Sequence, residues 1–258
     1  MLLANRVAII TGGARGIGRG IALKFAEEGC SVVIADLLMA EANKTLSDIL
    51  NKGRKGLAIK CNVANSSQVK QLVDTVIEEY GKVDILVNNA AFGPPTRSFA
   101  DIPDEEWDKA IAVNLKGVFL CCKAVIPHMK EKGYGKIINI SSGQAVSPAL
   151  PMAHYAASKA GVLGLTSDIA LEYAPYGICV NAIMPGPIRT ELWDSVIPPG
   201  ANKDEFFDQM GKRVVPMKRV GMPEDIASVA LFLASDLSKF VTAAQIHVGG
   251  GLPLRYQI

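Results

Sequence analysis

Short apolar runs recur along the chain, and stretches with a helical spacing of apolar residues lie between them. The runs are apolar at successive positions instead of alternating with polar residues, which predicts strands covered on both faces, as in a parallel sheet. Seven such runs occupy residues 7–10, 31–35, 57–59, 85–87, 136–140, 178–182 and 245–248.

Helical patterns fill the intervals between these runs. Ile17, Ile21 and Phe25 recur every four residues and place one apolar stripe along a helix that ends near Gly29. Pro223 opens a later helix, because proline suits the first helical turn. The alternation of strand and helix over residues 1–258 predicts a single-domain α/β fold, a doubly wound, Rossmann-like parallel sheet flanked by helices.

Residues from about 188 to 216 interrupt this alternation. A connection of this length inside a compact domain is usually either functional or disordered. The segment carries Trp193, Pro198, Pro199, Gly200, Phe206, Phe207 and Met210. Its aromatic residues look exposed, which favours a helical lid over a substrate cleft.

Composition and charge exclude several classes of protein. Hydrophobic residues make up 49% of the 258 positions, which argues against disorder. The 27 basic and 25 acidic residues leave a net charge of +2, so neither a nucleic acid nor a membrane surface is predicted as a partner. No apolar run approaches the roughly 18 residues that span a bilayer, so no membrane segment is predicted.

The cysteines and histidines form no recognisable ligand pattern. The five cysteines are irregularly spaced without a Cys-x-x-Cys pair, and the three histidines are scattered. Neither a disulfide scaffold nor a metal site is therefore predicted. Reduced thiols favour a cytoplasmic protein.

The first strand runs into a glycine-rich turn at residues 11–18, with the pattern T-G-x-x-x-G-x-G. Glycines allow the backbone to approach a pyrophosphate, whose charge then meets the free N–H groups at the start of a helix. A tight strand–helix turn needs glycine in any case, so the turn alone leaves a purely structural role open. The position between a strand and a helix favours a dinucleotide site.

An acidic residue, Asp36, ends the second strand. A carboxylate there accepts hydrogen bonds from the adenosine ribose and repels a 2′-phosphate, so NAD is predicted. Arg15 in the glycine loop favours NADP instead, since a guanidinium there can bind a 2′-phosphate. Leu37 follows Asp36 where a second cation would help NADP. The alternative role of Asp36 is to cap the next helix.

Ser142 follows a strand, and Tyr155 begins a helix thirteen residues later, with Lys159 one turn further on. Positions i and i+4 share a helix face, so the Lys159 ammonium is expected near the Tyr155 phenol and is expected to lower its pKa. Ser142 is expected to hold a substrate oxygen beside that phenol. The alternative is three ordinary residues: a capping serine, a half-buried tyrosine and a surface lysine.

Together these features resemble the short-chain dehydrogenase/reductase family over essentially the whole chain. The matching motifs are residues 11–18, Asn88-Asn89-Ala90, Asn114, Ser142, Tyr155-x-x-x-Lys159 and Pro185-Gly186 followed by Ile188 and Thr190. Their order and spacing make the combination far more specific than any single motif.

The resemblance implies a role for each matching residue. Tyr155 would be the general acid/base, Ser142 would position the substrate oxygen, and Lys159 would lower the Tyr155 pKa and hold the nicotinamide ribose. Asn114 would hold a water that relays protons to Lys159. The implied cofactor-binding residues are Gly12, Arg15, Gly16, Ile17, Gly18, Asp36, Leu37, Asn62, Val63, Asn89, Ala90, Tyr155, Lys159, Pro185, Gly186, Ile188 and Thr190.

The sequence departs from the family pattern at three positions. Asn62 replaces the usual aspartate, which is expected to have a small effect because asparagine still accepts and donates. Ala91 replaces the glycine of Asn-Asn-Ala-Gly, and Gly249 replaces the aspartate of Val-Asp-Gly-Gly. The four residues of the implied catalytic set are present, so an active enzyme is expected.

The favoured function is an NAD-dependent oxidoreductase that moves hydride between a secondary alcohol or polyol and its ketone. Two alternatives remain: an NADPH-dependent reductase of 3-oxoacyl thioesters or other ketones, and a non-catalytic nucleotide-binding protein. Ser142, Gln144, Tyr155 and Trp193 are the predicted substrate-binding residues. The expected cleft wall also includes Ala91, Phe92, Pro94, Pro95, Val146 and Pro185. Relatives of this kind commonly form tetramers, so a homotetramer is expected.

Overall fold

A seven-stranded parallel sheet forms the centre of the computed structural model, which describes residues 1–195, 197 and 200–252. The strands are β1 (Val7–Thr11), β2 (Ser31–Asp36), β3 (Gly56–Lys60), β4 (Ile85–Asn88), β5 (Gly135–Ile140), β6 (Ile178–Pro185) and β7 (Gln245–Val248). Their order across the sheet is β3-β2-β1-β4-β5-β6-β7, and every neighbouring pair is parallel. This confirms the predicted doubly wound α/β fold.

Helices cover both faces of the sheet. They are α1 (Gly16–Glu27), α2 (Met39–Asn51), α3 (Ser66–Tyr80), α4 (Asp104–Ile111), α5 (Gly117–Lys132), α6 (Ala153–Tyr173), α7 (Lys203–Val214) and α8 (Pro223–Ala234). Side chains of α1, α2 and α8 contribute to the hydrophobic core on one face, and side chains of α3, α5 and α6 contribute to the core on the other.

The alternation of side chains along β1 shows why the strands carry apolar residues at successive positions. Ala8 and Ile10 belong to the core beneath α1 and α8, whereas Val7 and Ile9 belong to the core beneath α3 and α5. Successive side chains of a strand point to opposite faces, so a sheet covered on both sides buries all of them. Complete burial of one such side chain contributes roughly 1.5–3 kcal/mol.

A nearly continuous helix runs from α4 through a π-helical turn, Ala112–Lys116, into α5. This span, Asp104–Lys132, is long and apolar enough by length and composition alone to cross a membrane, as the core helix of a folded domain can be. Its apolar residues pack against the sheet: Val118, Cys122 and Val125 are buried in the core beside β4 and β5. Polar residues such as Asn114 and Lys116 keep its uninterrupted apolar runs short.

The segment after β6 contains a short 3-10 helix, Glu191–Ser195, and then α7. The Asn202 side chain caps α7 by accepting from the backbone N–H groups of Asp204 and Glu205. The sequence suggested that the aromatic residues of this segment are exposed, but in the structure they are buried or half-buried. Phe207 is buried, and Trp193 and Phe206 pack around it with ring centroids 6.4 and 5.7 Å away, because aromatic rings bury area against one another. Pro198 and Pro199 lie outside the described residues.

Candidate active site

A cleft of about 1270 Å³ lies at the carboxyl ends of the strands, where ligands bind in open parallel sheets. Of the predicted site residues, it is lined by Gly12, Arg15, Gly16, Ile17, Asp36, Leu37, Asn62, Val63, Asn89, Ala90, Ser142, Gln144, Tyr155, Lys159, Pro185, Gly186, Ile188, Thr190 and Trp193. Gly18 and Asn114 lie behind the cleft wall and do not line it.

The glycine loop leaves space that any larger residue would fill. Gly12 and Gly16 adopt positive φ angles of 64° and 54°, which side chains disfavour. A Cβ atom on Gly18 would lie 2.1 Å from the Gly12 carbonyl oxygen, so α1 can approach the loop only with glycine at this position. The loop thus presents the start of α1, with its free N–H groups, to the cleft.

The loop is fastened to the end of β4 by hydrogen bonds between Thr11, Asn89 and Ala90 that the sequence did not predict. The Thr11 hydroxyl accepts hydrogen bonds from the backbone N–H groups of Asn89 and Ala90 at 3.0 and 3.1 Å. In return, the Asn89 amide donates to the carbonyl oxygens of Thr11 and Gly12. This reciprocal bonding fixes the floor of the cleft between the two strand ends.

The Asp36 carboxylate also contacts the glycine loop. Its Oδ2 accepts from the Ala14 N–H and its Oδ1 from the Leu38 N–H, both at 3.0 Å. Each oxygen keeps a lone pair for a further donor. Asp36 therefore shapes the turn before α2 and lines the cleft, but it does not cap α2, whose N-cap residue is Leu38. The Arg15 side chain is exposed and has no hydrogen-bond or ion-pair partner within the described part of the chain.

At the third strand, Asn62 stabilises its own turn. Its Oδ1 accepts from the Ala64 N–H at 3.0 Å, and its backbone N–H donates to Gln68. An aspartate would accept the same bond, so the replacement of aspartate by Asn62 keeps this local geometry. Val63 lines the cleft beside it.

The residue at position 249 matters for packing at the far end of the cleft. A Cβ on Gly186 would lie 2.7 Å from the Gly249 Cα, so the two backbones touch directly. Ile188 pairs with Gly221, which places the segment that begins at Pro185 along the cleft.

Ser142, Tyr155 and Lys159 lie close together in the wall of the cleft, as their spacing in the sequence predicted. Burial raises the pKa of the Tyr155 phenol above its ordinary value near 10, and a hydrogen bond with Ser142 partly lowers it. We expected the Lys159 ammonium to lower the pKa of Tyr155, but in the folded chain by itself the pKa of this phenol is raised. Burial disfavours the phenolate more than any neighbour favours it.

Lys159 is buried between α6 and the sheet. Its ammonium donates to the Ile140 carbonyl oxygen at 2.7 Å and lies 5.8 Å from the Tyr155 ring centroid. Burial lowers the pKa of this group from 10.5 to about 8. The alternative of a surface lysine is therefore wrong, since only 2% of the residue is exposed.

Asn114 lies in the π-helical turn, fully buried. Its amide donates to the Phe92 carbonyl oxygen and to the Ser158 hydroxyl, at 3.0 and 3.1 Å, and its Oδ1 accepts from the Phe92 N–H. Both amide hydrogens are used within the protein, so a water held by this side chain would have to donate to Oδ1. Sequence reasoning missed Ser158, which connects Asn114 to α6.

The substrate side of the cleft differs in part from the expectation. Ala91, Pro94, Gln144, Pro185 and Trp193 line it, as predicted. The predicted residues Phe92, Pro95 and Val146 do not line it. The Phe92 ring lies under the Lys109 ammonium instead, and half of Val146 faces solvent.

Gln144 has a structural partner as well as a place in the cleft. Its Oε1 accepts from the backbone N–H groups of Ala149 and Leu150 and so holds the loop before α6. Within the described residues, no group of three or more His, Cys, Asp or Glu side chains is arranged to hold a metal ion.

Comparisons with known proteins agree with this geometry. The family described as enoyl-(acyl carrier protein) reductase matches residues 12–253. The chain belongs to the short-chain dehydrogenase/reductase family. It is 40% identical over 249 residues to the 3-oxoacyl-(acyl-carrier-protein) reductase FabG of Staphylococcus epidermidis, which covers 96% of this chain and 99% of that protein.

Two further similarities extend over the same length. The Thauera aromatica protein BbsD, a subunit of (2S)-((R)-hydroxy(phenyl)methyl)succinyl-CoA dehydrogenase, is 39% identical over 254 residues, covering 98% of this chain and 99% of that protein. The crystal structure of levodione reductase superposes with a TM-score of 0.93 at 32% identity, covering 98% of this chain and all of that one. This short-chain dehydrogenase/reductase is thus an NAD(P)-dependent oxidoreductase that acts on CH–OH or ketone groups.

The residues present fit a nicotinamide dinucleotide. The glycine loop forms a cradle that a Cβ would fill, the start of α1 offers N–H donors for a pyrophosphate, and Asp36 offers a carboxylate at the edge of the sheet. The cleft continues from these groups to Tyr155 and Lys159.

Proposed function

We propose that this enzyme interconverts a 3-oxoacyl thioester and the corresponding 3-hydroxyacyl thioester with NAD(H). The observation that carries the reaction is the meeting of Ser142, Tyr155 and Lys159 in one cleft with the glycine loop. The bound nicotinamide supplies the hydride to the carbonyl carbon or removes it from the alcohol.

The residues of the chain supply position and protons. In the reducing direction Tyr155 gives its phenolic proton to the substrate oxygen, while the Ser142 hydroxyl donates a hydrogen bond to the same oxygen. The Lys159 ammonium, next to the phenol, assists the return of a proton to Tyr155, and Asn114 holds the relay that the family resemblance implies. In the oxidising direction the same proton moves from the alcohol to Tyr155.

The names of the relatives support a thioester substrate. FabG is named for a 3-oxoacyl group on acyl carrier protein, and BbsD for a hydroxylated acyl group on CoA. These names favour the substrate of the alternative considered from the sequence, an NADPH-dependent reductase of 3-oxoacyl thioesters, over a free secondary alcohol or polyol. The apolar cleft residues Leu150, Met152, Met184, Trp193 and Met210 offer a wall for an acyl chain.

A second candidate is the oxidation or reduction of a free secondary alcohol or ketone. It is supported by the similarity to levodione reductase, whose name describes a ketone without a thioester. Gln144 and Trp193 would then contact the substrate directly. The two candidates differ only in what extends from the reacting carbon.

The proposal of NAD rests on Asp36, whose oxygens face the cleft with a fixed orientation. NADP remains the alternative because Arg15 also lines the cleft. We further propose a cytoplasmic location, supported by five free cysteines, and a homotetramer, supported by apolar residues exposed on α5 and α6.

The test is a turnover assay with purified protein. Acetoacetyl-CoA and levodione are each offered with NADH and with NADPH while nicotinamide absorbance is followed. Of the four combinations, we expect the highest kcat/KM for acetoacetyl-CoA with NADH. Turnover of levodione but not of acetoacetyl-CoA would favour the second candidate.

A further inference from the structure

The first turn of α6 has no side-chain cap, although it carries the tyrosine of the site. Met152 occupies the N-cap position and makes no capping hydrogen bond with its side chain. Tyr155 is the third residue of the helix, so its position depends on that turn. An uncapped helix terminus leaves N–H groups unsatisfied and opens more readily than the helix centre.

Three side chains from three different segments meet at this turn. The buried His154 ring lies with Nε2 2.9 Å from the Glu106 Oε1 on α4. Both oxygens of Glu106 accept from the Arg97 Nε–H, at 3.0 and 3.2 Å. We call these residues the Arg97–Glu106–His154 network. Its inner end is fully buried, and its outer end, Arg97, is 40% exposed at the side chain.

The network also connects two walls of the cleft. The backbone N–H of Arg97 donates to the Pro151 carbonyl oxygen at 2.9 Å, immediately before α6. Arg97 belongs to the loop after β4, in which Ala91 and Pro94 line the cleft. On the other side of this bond, Leu150 and Met152 line the cleft as well.

The chemistry of the network indicates one arrangement of protons. Burial by itself would raise the pKa of Glu106, but hydrogen bonds from His154 and Arg97 hold its pKa below the ordinary value, so it is a carboxylate. A carboxylate accepts, so the His154 Nε2 carries the hydrogen. Nδ1 has no partner among the described residues, and a buried N–H there would be unsatisfied. The neutral Nε2–H tautomer meets both conditions.

We propose that the Arg97–Glu106–His154 network positions Tyr155 by holding the first turn of α6 in place of a helix cap. The inference rests on the proposed role of Tyr155 as the acid/base. His154 acts through the neighbouring backbone and touches neither substrate nor cofactor, so it is a positioning residue.

The experiment compares His154→Leu with His154→Gln in the full-length enzyme. Leucine fills the space without a donor, whereas the glutamine amide can place an N–H near the position of Nε2. With acetoacetyl-CoA and NADH, His154→Leu is expected to lower kcat roughly 10- to 100-fold, the scale of a misplaced catalytic group, while the KM for NADH changes less than about twofold. His154→Gln is expected to recover kcat to within about threefold of the unmodified enzyme.

Hydrogen exchange gives a readout that needs no turnover. Amides of residues 153–158 are expected to exchange at least ~10-fold faster in His154→Leu, with the second half of α6 unchanged. The matched control is Ser167→Ala, which removes a hydrogen bond to the Leu163 carbonyl on the same helix far from the first turn. It is expected to leave both kcat and exchange at residues 153–158 unaltered.

The outcomes separate this inference from the proposed function. Unchanged exchange, or faster exchange with unchanged kcat, would overturn the positioning role while leaving the proposed reaction intact. Full activity of Tyr155→Phe, or no turnover of any ketone, would overturn the proposed function instead. Hydrogen exchange at residues 153–158 would then still test whether the network holds the first turn of α6. If His154→Leu does not fold, Arg97→Ala at the exposed end takes its place, with Arg97→Lys as the conservative variant.

Discussion

The Lys159 ammonium lies 5.8 Å from the centre of the Tyr155 ring and is held there by the Ile140 carbonyl oxygen at 2.7 Å. Burial acts on both groups in opposite directions: it raises the pKa of the phenol and lowers the pKa of the ammonium to about 8. The two pKa values therefore move apart, from ordinary values of 10.0 for the phenol and 10.5 for the ammonium. Each shift favours the neutral form of its group, so burial keeps on the Tyr155 phenol the proton that general acid catalysis transfers.

Replacement of Tyr155 by phenylalanine removes the transferable proton and keeps the ring. We expect turnover to fall at least ~100-fold, the usual scale of acid–base assistance, with cofactor affinity retained. Steady-state kinetics and a cofactor titration measure the two effects. Tyr173→Phe, on the same helix but away from the cleft, is the control and should keep full activity. More than a tenth of normal turnover in Tyr155→Phe would remove this residue from its role.

Replacement of Lys159 by methionine should abolish turnover and stabilise the cofactor-free protein near neutral pH. Burial lowers the pKa of Lys159 from 10.5 in the unfolded chain to about 8 in the folded protein. Below about pH 8 the amine is charged in both states, so the folded protein bears the full cost of burying the charge; above about pH 10.5 it is neutral in both, and that cost is absent. The pKa difference of about 2.5 corresponds to a cost of roughly 3 kcal/mol in the free energy of unfolding, which the substitution removes. The loss of the hydrogen bond to the Ile140 carbonyl oxygen offsets about 1 kcal/mol of that gain. Denaturant unfolding at several pH values should show the gain shrinking between about pH 8 and pH 10.5.

The control for this experiment is Lys136→Met. Lys136 is also buried, but its ammonium donates to the carbonyl and hydroxyl oxygens of Ser238. Its loss removes both hydrogen bonds and leaves the Ser238 carbonyl oxygen with the Val241 N–H as its donor, so it should destabilise the protein by about 1–3 kcal/mol. Equal destabilisation by both substitutions near neutral pH would contradict the prediction for Lys159.

The fold was predictable because its signals are local. The strand runs, the helical spacing of Ile17, Ile21 and Phe25, and the glycine turn each lie within a few neighbouring residues. Their order along the chain then determines the parallel topology with few alternatives. The approach of Lys159 to Tyr155 is local in the same sense, since it follows from one helical turn.

The parts of the site that were missed join residues far apart in the chain. Thr11 contacts Asn89 across 78 positions, and Asn114 contacts Ser158 across 44. No periodicity or motif records such a pair. The pKa of Tyr155 was wrongly expected to follow its nearest cation because burial depends on the whole cleft and not on one neighbour. Loop side chains such as Phe92 were misplaced for the same reason.

Replacement of Gly18 by alanine should damage the cofactor site. The new methyl would lie 2.1 Å from the Gly12 carbonyl oxygen and 2.5 Å from the Asn89 amide nitrogen, so the loop must shift. We expect cofactor affinity to fall at least ~10-fold and stability by about 1–3 kcal/mol, as overpacking usually costs. Gly164→Ala, which meets open space on α6, is the control and should leave cofactor affinity unchanged. Calorimetric titration with NADH distinguishes the two variants, and similar affinities would contradict the prediction.

Assembly should depend on the exposed apolar residues of α5 and α6. Among the apolar residues of α6, Val162, Leu163 and Ile169 are buried within the chain itself, whereas Leu171 is 81% exposed. Phe119 on α5 is 44% exposed. Light scattering should show a tetramer, and Leu171→Glu should shift it toward smaller species by burying an unpaired charge. A monomer at micromolar concentration in the unmodified protein would refute the proposed assembly.

Cofactor choice sets Asp36 against Arg15. The Asp36 carboxylate is held by the Ala14 and Leu38 N–H groups, so it cannot turn away from a 2′-phosphate without losing both bonds. The exposed Arg15 side chain has no partner within the described residues and is free to turn to solvent. A like-charge contact costs several kcal/mol, of which a mobile guanidinium recovers only part. We therefore expect kcat/KM to favour NADH over NADPH at least ~100-fold, which is about 2.8 kcal/mol.

Two substitutions separate these contributions. Asp36→Ser removes the charge and should raise kcat/KM for NADPH more than it lowers kcat/KM for NADH. Arg15→Ala in the unmodified enzyme should change the preference less than about threefold, because Arg15 has nothing to bind while Asp36 excludes the phosphate. In the Asp36→Ser background the same Arg15→Ala change should lower kcat/KM for NADPH at least ~10-fold, the value of one charge-assisted contact to a phosphate. Equal use of NADH and NADPH by the unmodified enzyme would show that Arg15, and not Asp36, determines the choice.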